Sequence, residues 1–277
     1  MADGHERISP TAHVTAYTWH RIGMPHARHF VTRRGWLGFW SWRVLVEWWA
    51  RLLTGTPTLQ QILEYRHRII EGAALAHAPD VLVEIAGGLS RRGVTFAVDH
   101  AIRTVEIDLP HVVSLKQGVL EASELSAKLG KHSLVARDVL SDRFGEELEL
   151  LLGDAQRPVI VMEGLLSYFT LDQRNTLLAS VGRALKGREG IVLCDAYTRV
   201  TRGSSLGSNA LKAAIKMITR GNGPTDSWAN QEELEASFTS GGLGQVGVAL
   251  ASELPAADRP VIGDEGIPAQ VVRASPS

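Results

Sequence analysis

Polar and apolar positions divide the chain into two regimes. Over residues 10 to 79 the apolar positions follow a helical period. TAHVTAYTWHRIG, residues 36 to 53 and LQQILEYRHRIIEGAALAH each predict a helix; in the last, Leu59, Ile62, Leu63, Ile69, Ile70 and Ala73 recur at that spacing. From residue 80 the pattern changes to short β-rich runs: DVLVEIA, RTVEID, HSLVAR, RPVIVMEG and GIVLCDAY. Helical stretches separate them. PHVVSLKQGVLEASELSAKLG opens with proline at a first-turn position, and LDQRNTLLASVGRALKG closes on glycine. Such alternation predicts crossover units and an α/β fold with a mostly parallel sheet covered on both faces. Two late runs, QVGVALAS and AQVVRAS, are expected to add edge strands. The division expected is a helical cap over 1–79 and an α/β domain over 80–277. The glycine- and serine-rich stretch 198–230 is a candidate lid or an ordinary surface excursion.

With 277 residues, 44% of them hydrophobic, the chain can bury a large core. A formal net charge of −1 gives no basic field for nucleic acid. The single cysteine, Cys194, rules out a disulfide framework and points to a reducing compartment. MADGHERISPTAHV lacks the apolar core of a signal peptide. GWLGFWSWRVLVEWWARLL is interrupted by Arg43, Glu47 and Arg51, so no membrane span and a cytoplasmic location are expected. Six of seven tryptophans fall between Trp19 and Trp49, which marks the N-terminal region as distinct. They read as a helix packed on the domain, a membrane-surface helix or a dimer contact.

In open α/β sheets ligands bind beyond the carboxyl ends of the strands. The strand ends here carry Ala86, Gly87 and Gly88, then Glu106 and Asp108, then Asp138, then Glu163 and Gly164. Four carboxylates at one sheet edge repel unless a ligand supplies donors or positive charge. Asp108 lies 20 residues beyond Gly88, the spacing at which an acid reaches a ribose diol. The G-x-G-x-x-G spacing of pyrophosphate sites is absent, which favours a phosphate-free nucleoside such as S-adenosyl-L-methionine. Asp108 and Asp138 could instead cap the segments that follow them.

RHRIIE (66–71), VEIAGGLSRRG (83–93), VEIDLP with Lys116, ARDV (136–139) and VMEGLLSYF (161–169), together with TAHVTAY (11–17), resemble the leucine carboxyl methyltransferase family. The similarity is strongest to its bacterial polyketide-type O-methyltransferases. It implies a class I methyltransferase, Rossmann-like fold with a seven-stranded sheet and an N-terminal helical cap. It also implies cofactor contacts from Arg66, Ala86, Gly87, Gly88, Asp108, Asp138, Val139 and Glu163. The family's usual first glycine and following aspartate are Ala86 and Ser90 here.

The expected partner is a small-molecule methyl acceptor with a carboxylate or phenolic oxygen. A phenol would benefit from a base, for which His20, His26 and His29 are candidates. Tyr17, Trp19 and Tyr168 suit an acceptor pocket or the core. Of these, His20, Tyr17 and Tyr168 are the candidate catalytic residues, and no metal is expected. An NAD(P)-dependent oxidoreductase and a non-catalytic binding module are the competing expectations.

Overall fold

Seven strands form one sheet, and its order places the candidate residues. The structure is a computed structural model and describes residues 10–44, 57–198, 228–264 and 270–277. The N-terminal helices are α1 (Pro10–Arg21), α2 (Arg33–Trp42) and α3 (Leu59–Ala76). Then follow β1 (Val81–Ile85), α4 (Arg92–Val98), β2 (Arg103–Asp108), α5 (Pro110–Glu121) and β3 (His132–Ala136). The second half comprises α6 (Phe144–Leu152), β4 (Pro158–Met162), α7 (Leu171–Leu185) and β5 (Ile191–Ala196). It closes with α8 (Gln231–Ser240), β6 (Gln245–Ala249) and β7 (Gln270–Ser275).

The spatial order is β3-β2-β1-β4-β5-β7-β6. Every pairing from β3 to β5 is parallel, while β7 runs antiparallel to both β5 and β6. The direction of winding therefore reverses at β1, between β2 and β4, and the crevice for a ligand lies at the carboxyl ends of those strands.

Two-residue alternation sorts the strands between two apolar layers. Val81, Val83, Ile85, Ile160, Met162, Val192 and Cys194 face one layer with Leu148, Leu177, Val181 and Phe238. Leu82, Val159, Val161 and Leu193 face the other, against Tyr65, Ile69, Ile70 and Ala74 of α3. Helix α3 thus covers one face of the sheet. Its start is set by a capping box in which Thr58 accepts from Gln61 N and the Gln61 side chain accepts from Thr58 N. The same device, Thr170 with Gln173, starts α7. Trp228 is buried, its indole N–H donating to Ser237 Oγ at 2.9 Å.

Three expectations need correction. The helix expected from Pro110 to Gly130 stops at Glu121, because Ser123 makes its own local bonds. Its hydroxyl donates to Leu120 O and accepts from Leu125 N, which replaces the helical ladder. Of the two late strands only β6 lies at an edge; β7 is inserted between β5 and β6. The tryptophan-rich helix begins at Arg33, not residue 36, because Thr32 accepts from Gly35 N as N-cap. Its expected continuation from 45 to 53, and most of the candidate lid (199–227), lie outside the described residues. Among the described residues, no helix is long and apolar enough to cross a membrane.

Candidate functional site

The chain leaves β1 through a tight turn that demands unusual backbone. Ala86 adopts φ 55° and Gly88 φ 59°, both in the left-handed region. For Gly88 this is free of steric cost; for Ala86 it costs on the order of 1 kcal/mol. At Gly87 a Cβ would come within 2.8 Å of the Glu84 carboxyl carbon, so this position has no room for a side chain. The Gly88 N–H donates to Asp108 Oδ2 at 2.9 Å, and the other Asp108 oxygen accepts from Leu109 N at 2.8 Å. Asp108 therefore ties the β2 end to the β1 turn instead of capping α5. Burial raises its pKa, and the two backbone donors offset part of that rise. Helix α1 lies over the turn, since a Cβ on Gly88 would sit 3.1 Å from Ala12 Cβ.

Beside the turn, Arg66 of α3 enters the β4 and β5 ends. Its Nε donates to Glu163 Oε1 at 2.9 Å and its Nη1 to Asp195 Oδ2 at 3.1 Å. Gly164, at φ 72°, makes this approach feasible; a Cβ there would lie 3.2 Å from Nη2. Burial disfavours the Arg66 charge, yet Asp195 and Glu163 together hold its pKa above the ordinary value. Asp195, which also accepts from Gly164 N, was not among the expected site residues. Its signal was available: it is the acid near the end of the apolar run GIVLCDA, at the same sheet edge as Glu163.

A second charged layer lies beneath. Because β1 alternates, Glu84 shares a face with Leu82 and points toward α3 and α4. Arg92, at the first turn of α4, donates to Glu84 Oε1 and to Glu163 Oε2, each at 2.5 Å, with both partners buried. Its Nη2 also approaches His67 Nδ1 at 2.7 Å. The same Nδ1 lies 2.8 Å from Glu163 Oε2, so it accepts from the guanidinium or donates to the carboxylate according to which ring nitrogen carries the proton. Burial, then Arg92, lowers the His67 pKa to about 4, which keeps the ring neutral. Burial opposes ionisation of Glu163, but His67, Arg92 and Arg66 together hold its pKa well below the usual range. Arg91 pairs with Glu71, 3.6 Å from His67 Nε2, and the Trp19 ring lies 4.5 Å from the His67 ring. The two arginines after the turn are thus consumed by internal carboxylates.

The four carboxylates expected at one edge do not all meet. Glu106, in register with Glu84, is buried between Lys116 and His132; those partners outweigh burial and lower its pKa. Asp138 is exposed and accepts from Leu140 N at 3.0 Å in a local turn, with half-buried Val139 packed on the core. Tyr168 reaches Thr11 of α1, hydroxyl to hydroxyl at 3.5 Å. Tyr17 packs with Val14 and Phe39 between α1 and α2. His20 is exposed beside a surface recess, where His26 meets Asp99 at 2.9 Å; His29 lies 3.9 Å from Glu124. No group of three His, Cys, Asp or Glu side chains is arranged to hold a metal among the described residues.

A curated relative, a provisionally named S-adenosyl-L-methionine-dependent methyltransferase of Parafrankia sp. (strain EAN1pec), is 27% identical over 150 residues, 53% of this chain. The match spans about half of that relative's length, 48%. A provisionally named methyltransferase from Thermobifida fusca YX superposes with a TM-score of 0.59 at 17% identity, covering 99% of this chain and 96% of its own. PigF, solved with SAH, gives 0.54 at 14% identity, covering 94% and 81%. At these identities the two structures bear on fold, which is the class I methyltransferase arrangement. Residues 25–182 match the family model of leucine carboxyl methyltransferase, more than half of the sequence, and the chain belongs to that family.

Proposed function

We propose that the protein is an S-adenosyl-L-methionine-dependent O-methyltransferase. Its acceptor is a small, polyketide-like metabolite carrying a carboxylate or phenolic oxygen. One observation carries the reading. Arg66, Glu163 and Asp195 converge beside a turn whose Gly88 N–H is held by Asp108. The trio carries one more negative than positive charge. A ligand with a sulfonium, an ammonium and a carboxylate carries one net positive charge, so the two are complementary.

In this reading Arg66 turns from its carboxylates to meet the ligand's carboxylate, and Glu163 takes the ammonium. Ala86, Gly87 and Gly88 lie under the amino-acid end. Asp108, with lone pairs beyond its two backbone bonds, accepts from the ribose diol. Asp138 and Val139 border the adenine. When bound, the cofactor supplies an electrophilic methyl whose transfer leaves a neutral thioether. The protein's task is then to align the acceptor oxygen and exclude water. Helix α1 performs the covering, and Tyr168, joined to Thr11 of that helix, is the acceptor-side residue this geometry favours over Tyr17 and His20.

Arg91 and Arg92 are both paired with internal carboxylates, so neither is free to meet a 2′-phosphate, which disfavours the NADP-dependent alternative. Isothermal titration of the purified chain with S-adenosylmethionine and S-adenosylhomocysteine tests the proposal, followed by assay of methyl transfer to simple phenols and carboxylic acids. Saturable binding with turnover is expected. Absence of binding by both compounds defeats the reading. Binding without turnover on any acceptor supports the non-catalytic module instead.

A further inference from the structure

We propose that the outer face of α2 is a docking surface for an anionic lipid bilayer. Helical spacing separates two faces of this helix. Gly35, Phe39 and Trp42 are buried, and the two glycines of α2 let it lie close on α1: a Cβ on Gly35 would collide with His13 O, one on Gly38 with Val14. The opposite face carries Trp36, 49% exposed, and Leu37, 57% exposed, with Val44, 56% exposed, just past the helix end. These large apolar side chains are covered by nothing among the described residues.

The charge around this face has one sign. Arg33 and Arg34 open the helix, Arg43 follows it, and Arg21 lies over the Trp40 ring at 5.6 Å. From Thr32 to Val44 there is no acidic residue. None of the four arginines has a carboxylate partner among the described residues; Arg43 instead lies 5.8 Å from the Trp40 ring. Tryptophan and aliphatic side chains beside unpaired arginines match the requirements of an interfacial helix. The apolar side chains enter the headgroup boundary while the guanidiniums meet lipid phosphates and carboxylates. A second copy fits poorly, because a face-to-face pair would bring eight arginines together with no carboxylate between them among the described residues.

Co-sedimentation of the full chain with vesicles tests this, comparing phosphatidylcholine alone with phosphatidylcholine containing about one third phosphatidylserine. Binding only to the anionic vesicles is expected, weakened by added salt. Arg33→Glu/Arg34→Glu should lower the partition coefficient by more than about tenfold. Trp36→Ser/Leu37→Ser should do the same by removing the inserted side chains, again by about tenfold. Circular dichroism melts check that both variants fold; if one does not, the vesicle comparison and salt titration of the unaltered chain still decide. Binding to neither vesicle overturns the proposal, as does equal binding to both, or retention by the arginine variant. Concentration-dependent dimerisation without vesicle binding also overturns it and assigns the face to a second copy. The test uses no methyl transfer, so its outcome is separate from that of the proposed activity.

Discussion

Glu84 and Glu106 are register partners on adjacent parallel strands, both buried on the same sheet face, yet their surroundings differ. Glu106 is closed off: Lys116 and His132 take its oxygens, and Lys116 also donates to Ser90 O. Glu84 belongs to an open chain of charge. Arg92 links it to Glu163, Glu163 to Arg66, and Arg66 to Asp195 at the ligand crevice. The first arrangement holds an edge of the sheet together. The second, in the function proposed above, positions groups that exchange partners when the cofactor binds. Burial penalises all these charges, and only mutual pairing offsets that penalty.

Removing the link between the two layers should have the largest effect. Arg92→Ala leaves Glu84 and Glu163 buried without their shared cation and should destabilise the protein by about 3–5 kcal/mol. Thermal melting should then fall by roughly 10 °C or more. An unchanged melt would mean that Glu84 and Glu163 do not depend on Arg92.

Next comes the outer layer. Arg66→Ala should lower S-adenosylmethionine affinity by about 100-fold, some 2.7 kcal/mol, by removing a charge-assisted partner. Stability should suffer less than with Arg92→Ala, since Glu163 keeps Arg92 and Asp195 keeps the Gly164 amide. Calorimetry and melting on the same variant separate the two effects; equal stability loss in both variants would erase the distinction between layers.

A smaller effect concerns pH. His67 titrates near 4 when folded and near its ordinary value of 6.5 when unfolded. Between those values the unfolded chain binds more protons, so stability falls as pH drops from 6.5 toward 4. Between pH 7 and pH 5 the His67 contribution should be about 2 kcal/mol. Urea denaturation at pH 7 and pH 5 should therefore show a steeper loss for the native chain than for His67→Gln. Parallel pH dependences would refute the buried neutral ring.

The smallest change is expected at the turn. Ala86→Gly relieves a left-handed alanine and should stabilise by about 0.5 kcal/mol after the added freedom of the unfolded chain is counted. A loss of stability would show that Ala86 is not strained in solution.

Strand and helix periodicity made the parallel sheet legible. So did the acids that end apolar runs, and motif order pointed to the family. Less legible was which acids share a site. Glu106, Asp108, Asp138 and Glu163 look equivalent in sequence, but Glu106 is withdrawn by Lys116 and His132, and Asp138 stands apart from the charge network, accepting from Leu140 N at the exposed rim. Asp195 carries the same strand-end signal as Glu163 but no motif singles it out; the pairing of β5 beside β4 brings it to Arg66.

The sequence by itself determined the elements, the family and the strand ends at which chemistry gathers, because these depend on local periodicity and short motifs. Only the tertiary structure decided where Arg91 and Arg92 point, and that His67, Glu84 and Asp195 join the charge network around Arg66 and Glu163. Apart from Arg92 with Glu84, those partnerships join residues 20 to 129 positions apart, and they exist because a charge buried by folding must find its counterion in space, wherever the chain supplies one.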